Sequence, residues 1–190
     1  MIPGFSNRRQ FRDLSEQEVL ALAISSEEDD ARIYRTYAER LREKFPDTAK
    51  VFQAMALEED THRQKLIDLH KARFGDTIPL IRREHVAGFY ARRPVWLVEN
   101  LGLERMRGET EKMESDAHNF YLEAARRSKD ADTRKLLGDL AAAEAGHMSL
   151  AGELEKEHLD KSARGAEDRE AHRQYILTWV QPGLAGLMDG

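Results

Sequence analysis

Apolar residues recur at three- and four-residue spacings over four long stretches, the period of an amphipathic helix, and two-residue strand alternation is scarce. The first stretch opens at Leu14-Ser15-Glu16-Gln17-Glu18-Val19, where Ser15 and Glu18 form a capping box and Leu14 with Val19 a hydrophobic staple, and it runs to about Lys44. Pro46 and Asp47 break and restart the chain, and a second helix reaches about Phe74, where Gly75 stops it. A third follows Pro94 and ends near Ser128; Asp130 or Asp132 caps a fourth that ends near His158. Between the second and third, Gly75 to Pro94 is long for a bundle loop and is expected to hold one short helix near Arg83 to Phe89. Short, long, short connections describe two helical hairpins joined by one crossover. The pattern therefore predicts an all-α four-helix bundle over 15–158, an N-terminal arm over 1–14, and a C-terminal helix or linker over 159–190.

Charged residues interrupt the apolar stripes at matching places. The first reads Leu20, Ile24, Glu27, Ala31, Tyr34, Ala38, Leu41, Phe45, and Glu27 is its one carboxylate. The second reads Phe52, Met55, Glu59, His62, Leu66, Leu69, and the fourth Leu137, Leu140, Glu144, His147, Ala151, Leu154. The third brings Glu114 beside Met113, Ala117 and Tyr121. An ionised carboxylate inside a bundle costs several kcal/mol unless it is paired or coordinates a cation. Bound divalent metal removes that cost, and carboxylate with imidazole suits iron and manganese. One Glu from each of two helices and a Glu-x-x-His from each of the others is the ligand pattern of ferritin-like di-metal proteins.

A Glu-x-x-His pair alone says little, since with 7 histidines in 190 residues roughly one should arise by chance. The chain has three, the third being Glu155 with His158. It lies 155 − 144 = 11 residues beyond Glu144, about 16 Å further along the helix, without an obvious set of glutamate partners. Registration separates the first two from it. Glu27 to Glu114 and Tyr34 to Tyr121 are both 87 residues apart (114 − 27, 121 − 34); Glu59 to Glu144 and His62 to His147 are both 85 (144 − 59, 147 − 62). Such offsets indicate an internal duplication. Depth agrees in the second hairpin, where Glu114 and Glu144 lie about 14 and 12 residues from the turn, each roughly 20 Å away. In the first hairpin Glu27 and Glu59 stand about 17 and 12 residues from the turn, and a slanted helix or bulge is expected to level them.

Composition narrows the chemistry. There are no cysteines, which excludes a disulfide framework, a thiolate zinc site, a rubredoxin-type centre and a cysteine nucleophile. A net charge of −5 from many charges of both signs gives no basic face for nucleic acid. Arg8 and Arg9 precede no apolar run, so neither a signal peptide nor a membrane span is expected there, and the default location is cytoplasmic. Tyr175 to Val180 is too short to cross a bilayer, which needs roughly 20 apolar residues.

The segments EEDDARIY, MALEEDTH, MESDAHNFY and AAAEAGH resemble the rubrerythrin and erythrin branch of the ferritin-like superfamily, over roughly Ser15 to His158. The resemblance implies two Fe ions per chain, with Mn or Zn able to substitute, held by Glu27, Glu59, His62, Glu114, Glu144 and His147. It implies that Tyr34 and Tyr121 hydrogen-bond ligand carboxylates. Glu111, one turn before Glu114, looks like the extra glutamate of such sites, a seventh ligand or a carboxylate that moves with redox state. The ending TWVQPGLAGLMDG is similar to the N-terminal domain of bacterial membrane-bound ferritins, whose C-terminal half resembles vacuolar iron transporters. That likeness implies a cytoplasmic homodimer tethered to the inner membrane by a transporter domain beyond Gly190, supporting iron export.

Simpler readings stand beside these. Tyr34 and Tyr121 also read as ordinary core tyrosines, and Glu111 as a surface acid. Glu155/His158, His118, Glu104 and His70 read as structural or solvated, Trp96 and Trp179 as packing or interface residues, and Met106 with Met113 as core. The leading functional expectation is capture of Fe(II) and either its oxidation by O2 or H2O2 or its relay toward the attached transporter domain in support of iron export. The alternatives are a rubrerythrin-like peroxide reductase using an external electron donor, and a non-catalytic metal-sensing or dimerisation domain.

Overall fold

A computed structural model describes residues 8–87 and 102–161, with Glu104 and 148–161 described by backbone alone. Residues Met1–Ala151 make one compact unit and Gly152–Gly190 a second, of which 152–161 are described, as helix. The helices are α1 (Glu16–Leu41), α2 (Pro46–Phe74), α3 (Leu103–Arg127) and α4 (Ala131–Lys161). The protein is an all-α, ferritin-like four-helix bundle. No helix among the described residues is long and apolar enough to cross a membrane.

The helix ends follow from local chemistry. Ser15 Oγ accepts from Glu18 N at 3.3 Å while the Glu18 carboxylate accepts from Ser15 N at 2.9 Å, which is the expected capping box. Leu14 and Val19 are both buried behind it. α1 stops at Leu41 rather than Lys44, because Pro46 opens α2 and disfavours helical backbone immediately before it; 42–44 form a turn. α2 ends on Gly75, whose φ of 81° and ψ of −174° are accessible essentially to glycine alone. Asp130 caps α4, accepting from Thr133 N at 2.8 Å.

Named contacts fix the directions. Glu16 at the start of α1 meets Arg73 at the end of α2 at 2.9 Å, and Tyr37 near the end of α1 meets Phe52 near the start of α2, with ring centroids 5.3 Å apart. α1 and α2 are therefore antiparallel. Tyr34 hydrogen-bonds Glu114 and Tyr121 hydrogen-bonds Glu27, so α1 and α3 are antiparallel too. α2 and α3 then run the same way, which only a long crossover can connect.

That crossover differs from the expected short helix. Arg83–His85 is a single 3-10 turn, and Val86–Ala87 (β2) pairs in parallel with Arg9–Gln10 (β1) of the N-terminal arm; 88 and 89 lie outside the described residues, as does the stretch from Pro94 to 101. Two-residue strands carry no detectable periodicity, so neither was predicted. Arg83 anchors the crossover to α1. Its guanidinium donates to Ser26 Oγ at 2.9 Å, Ser26 O at 3.1 Å and Asp30 Oδ1 at 2.9 Å, one turn from Glu27. The core is continuous from Phe11, edge-on to Phe120, through Leu20, Leu22, Leu66, Leu137 and Leu140.

Candidate metal centre

All four helices send carboxylates into one buried cluster, and the shortened α1 explains how they meet. Glu27 lies 41 − 27 = 14 residues before the end of α1 and Glu59 59 − 46 = 13 residues after the start of α2. The two are level without any bulge. Glu27, Glu59, His62 and Glu144 form one group of potential ligands; Glu59, Glu114, Glu144 and His147 form another; within each group one ligand atom per residue lies within 4.8 Å of the rest. All six side chains are buried, Glu59 and Glu144 to 2 % exposure and Glu114 to 1 %.

Glu59 and Glu144 belong to both groups, and their oxygens divide accordingly. His62 Nδ1 faces Glu59 Oε2 at 3.3 Å, Glu144 Oε1 at 3.6 Å and Glu27 Oε2 at 3.7 Å. His147 Nδ1 faces Glu114 Oε2 at 3.2 Å, Glu59 Oε1 at 3.6 Å and Glu144 Oε2 at 3.8 Å. Each shared carboxylate thus offers one oxygen to each half. The terminal acids are held from behind: Tyr121 donates to Glu27 Oε1 and Tyr34 to Glu114 Oε1, leaving the second oxygen of each to point inward. The exchange is reciprocal, as a duplication requires. The hydroxyl of one half holds the acid of the other.

The residues fit divalent metal. Glu27 Oε2, Glu144 Oε1 and His62 Nδ1 are buried without a hydrogen-bond partner, although buried polar atoms are normally satisfied. Four carboxylates carry four negative charges, the number that two dications neutralise, and the donor set of oxygen and imidazole nitrogen suits iron or manganese.

A rubrerythrin family model matches residues 18–155, the span that contains every member of the cluster. The chain belongs to the rubrerythrin family. Among solved structures, this rubrerythrin domain is similar to a hypothetical protein from Pyrococcus furiosus, with 24% identity, a TM-score of 0.66, and coverage of 79% of this chain and 94% of that one. At that identity the likeness establishes the fold. No curated protein matches in sequence.

Electrostatics within the rubrerythrin cluster break the symmetry of the duplication, since the equivalent acids Glu27 and Glu114, and likewise Glu59 and Glu144, are shifted in opposite directions. Burial raises Glu59 well above the ordinary carboxyl range, helped by the neighbouring Glu144 and Glu27 charges, and it pushes Glu114 up to about 8. Burial acts on Glu27 and Glu144 too, but hydrogen-bonding groups around them outweigh it, Glu59 and His62 for the first and the two histidines for the second, and both lie below the ordinary range. Burial opposes charge on the imidazoles, yet the facing carboxylates prevail: Glu144 and Glu27 push His62 up to about 9, and Glu114 carries His147 well above its ordinary value. Without metal the cage is a proton-sharing network. Tyr34 and Tyr121 are raised well above 10 by burial and by the acids they serve, so both stay protonated donors.

Other singled-out residues lie elsewhere. Glu111, three residues before Glu114 on α3, is exposed and outside both groups. His118 is part-buried, its Nδ1 2.7 Å from Ala141 O on α4, and His70 is buried against Phe74; Met106 and Met113 are core. The side chains of Glu104, Glu155 and His158, and the whole of Trp96 and Trp179, lie outside the described residues. Glu58 was passed over in the sequence. Half-buried, it sits 3.0 Å from His147 Nε2 and 3.8 Å from His62 Nε2, and His147 holds it below the ordinary carboxyl range. The signal that could have found it is a break in the duplication, because 58 + 85 = 143 and position 143 is alanine.

Proposed function

We propose that the domain captures two Fe(II) ions per chain between the paired glutamates and histidines and oxidises them with O2 or H2O2. The observation that carries this reading is the sharing of Glu59 and Glu144, each with one oxygen toward each histidine. Iron in this setting supplies the electrons for reduction of dioxygen or peroxide. The residues do the rest. Glu27 and Glu114 close the two ends, His62 and His147 present Nδ1 inward, and Tyr34 and Tyr121 hold the terminal acids in one orientation. Residues such as Phe52, Leu66 and Met113, buried in the same bundle, keep bulk water away from it.

The ending TWVQPGLAGLMDG supports a wider role, in which the domain pairs with a second copy and feeds or regulates iron export through a membrane transporter domain attached beyond Gly190. Anaerobic titration tests the core of the proposal. The native chain takes up two Fe(II), and E59A with E144A abolishes tight uptake of both; retained stoichiometry in the double variant sinks the assignment. Ferrous oxidation faster with the protein than without it then separates turnover from storage or sensing.

A further inference from the structure

Both histidines of the cluster turn Nδ1 inward, which leaves two Nε2 atoms on the outer side, and an imidazole that binds metal through one nitrogen carries its proton on the other. Neither ring has much access to solvent, the His62 and His147 side chains being 5% and 7% exposed. One group lies close to both outer nitrogens, as an ion pair rather than an aligned hydrogen bond, since the buried His147 Nε2 has no hydrogen-bond partner. Glu58 Oε2 lies 3.0 Å from His147 Nε2 and Glu58 Oε1 lies 3.8 Å from His62 Nε2, one oxygen for each ring. The two rings are 6.3 Å apart and inclined by only 25°, a spacing that a single carboxylate can span. Glu58 is itself 43% exposed, at the outer edge of the cluster, and it belongs to neither inward-facing group. The duplicated half has Ala143 at the corresponding place. One acid therefore serves both halves.

We propose that Glu58 is a positioning residue for the metal centre, a shared outer carboxylate that fixes the orientation and tautomer of His62 and His147 together. The inference rests on the metal-centre reading above. A carboxylate behind a metal-bound histidine holds the ring and raises its basicity, and its loss typically costs about 10- to 100-fold in metal affinity. Because the carboxylate is shared, the loss falls on both ions.

The experiment uses the full chain, Zn(II) as a redox-inert probe, competition with a chromophoric chelator, and nitrogen-15 spectra of the histidines in the zinc-loaded protein. Wild type binds two Zn(II). E58A still binds two at saturation, with both affinities lowered about 10- to 100-fold, and the His62 and His147 Nε2–H signals lose their protection from exchange. E58Q, which keeps an acceptor for one ring, falls between. D60N, which removes a charge from the same turn of α2, leaves both affinities unchanged. Affinities within about twofold of wild type in E58A, with unchanged histidine signals, overturn the role of Glu58. So do equal losses in E58A and D60N, which would mean simple loss of charge, and so does complete loss of one ion with the other untouched, which would make Glu58 a ligand. E59A separates the two readings: if it retains both ions tightly, the metal centre itself is wrong, whereas its failure to bind beside an unaffected E58A condemns only the positioning role.

Discussion

Loading the cluster with two divalent ions at pH 7 should release about four protons, a number that follows from the charge inventory. In the metal-free protein Glu59 and Glu114 hold their protons, the first raised well above the ordinary range and the second to about 8. His62, pushed up to about 9, and His147, raised well above its ordinary value, are imidazolium, while Glu27 and Glu144 are ionised. The cage then carries two positive and two negative charges and is neutral. With metal, four carboxylates balance two dications and both imidazoles are neutral, so the cage is neutral again. The difference is 2 + 2 = 4 protons. Linkage then makes the product of the two binding constants rise by about 10⁴ per pH unit near neutrality, flattening above the pH at which Glu114 and His62 titrate. Calorimetric titration of Zn(II) in buffers of different ionisation enthalpy at constant pH counts the protons directly. A release of one or fewer per two ions would refute the reasoning, since it would mean that the carboxylates are already ionised and the imidazoles already neutral before metal arrives.

Three further expectations follow from the same geometry. The metal-free protein should lose stability as pH rises from 6.5 to 9. His62 binds its proton more tightly folded than unfolded, so its contribution, on the order of 3 kcal/mol, is complete below pH 6.5 and lost through 9, and that of Glu114 is lost between 4.5 and 8; thermal melts with and without Zn(II) should diverge over that range. Y34F and Y121F should each weaken metal binding by about 10-fold or more, Y34F at the Glu114 end and Y121F at the Glu27 end; chelator competition that shows both variants affecting the same ion would contradict the reciprocal arrangement. R83A should destabilise the fold by about 3–5 kcal/mol in denaturant titrations, because it strips buried Asp30 of its guanidinium, and a loss under 1 kcal/mol would show that the crossover is not anchored there.

Much of this was legible in the sequence because buried charge on an apolar stripe is conspicuous. The four helices, the capping box at Ser15 and the stop at Gly75 are local features with local causes. Glu27, Glu59, His62, Glu114, Glu144 and His147 stood out through the offsets of 87 and 85 residues, and the structure brings those six together. The depth mismatch in the first hairpin arose from reading α1 three residues too long; Pro46 ends it sooner, and no distortion is needed. β1 and β2 were invisible because two residues cannot display a period, and Arg83 because its partners are 57 and 53 residues away in sequence. The resemblance suggested Glu111 as a further ligand beside Glu114, but its side chain is exposed and belongs to neither group of potential ligands. Glu58 was hidden for the opposite reason, being an ordinary half-exposed acid until the positions of both imidazoles are known.

The central claim is that two ions sit within this cluster and share Glu59 and Glu144. Anomalous diffraction at the iron edge, from crystals loaded anaerobically with Fe(II), tests it most directly. Two peaks should appear, one bounded by Glu27 and His62 and the other by Glu114 and His147, with Glu59 and Glu144 reaching both. A single peak, none inside the bundle, or iron only at Glu155 and His158 would contradict it.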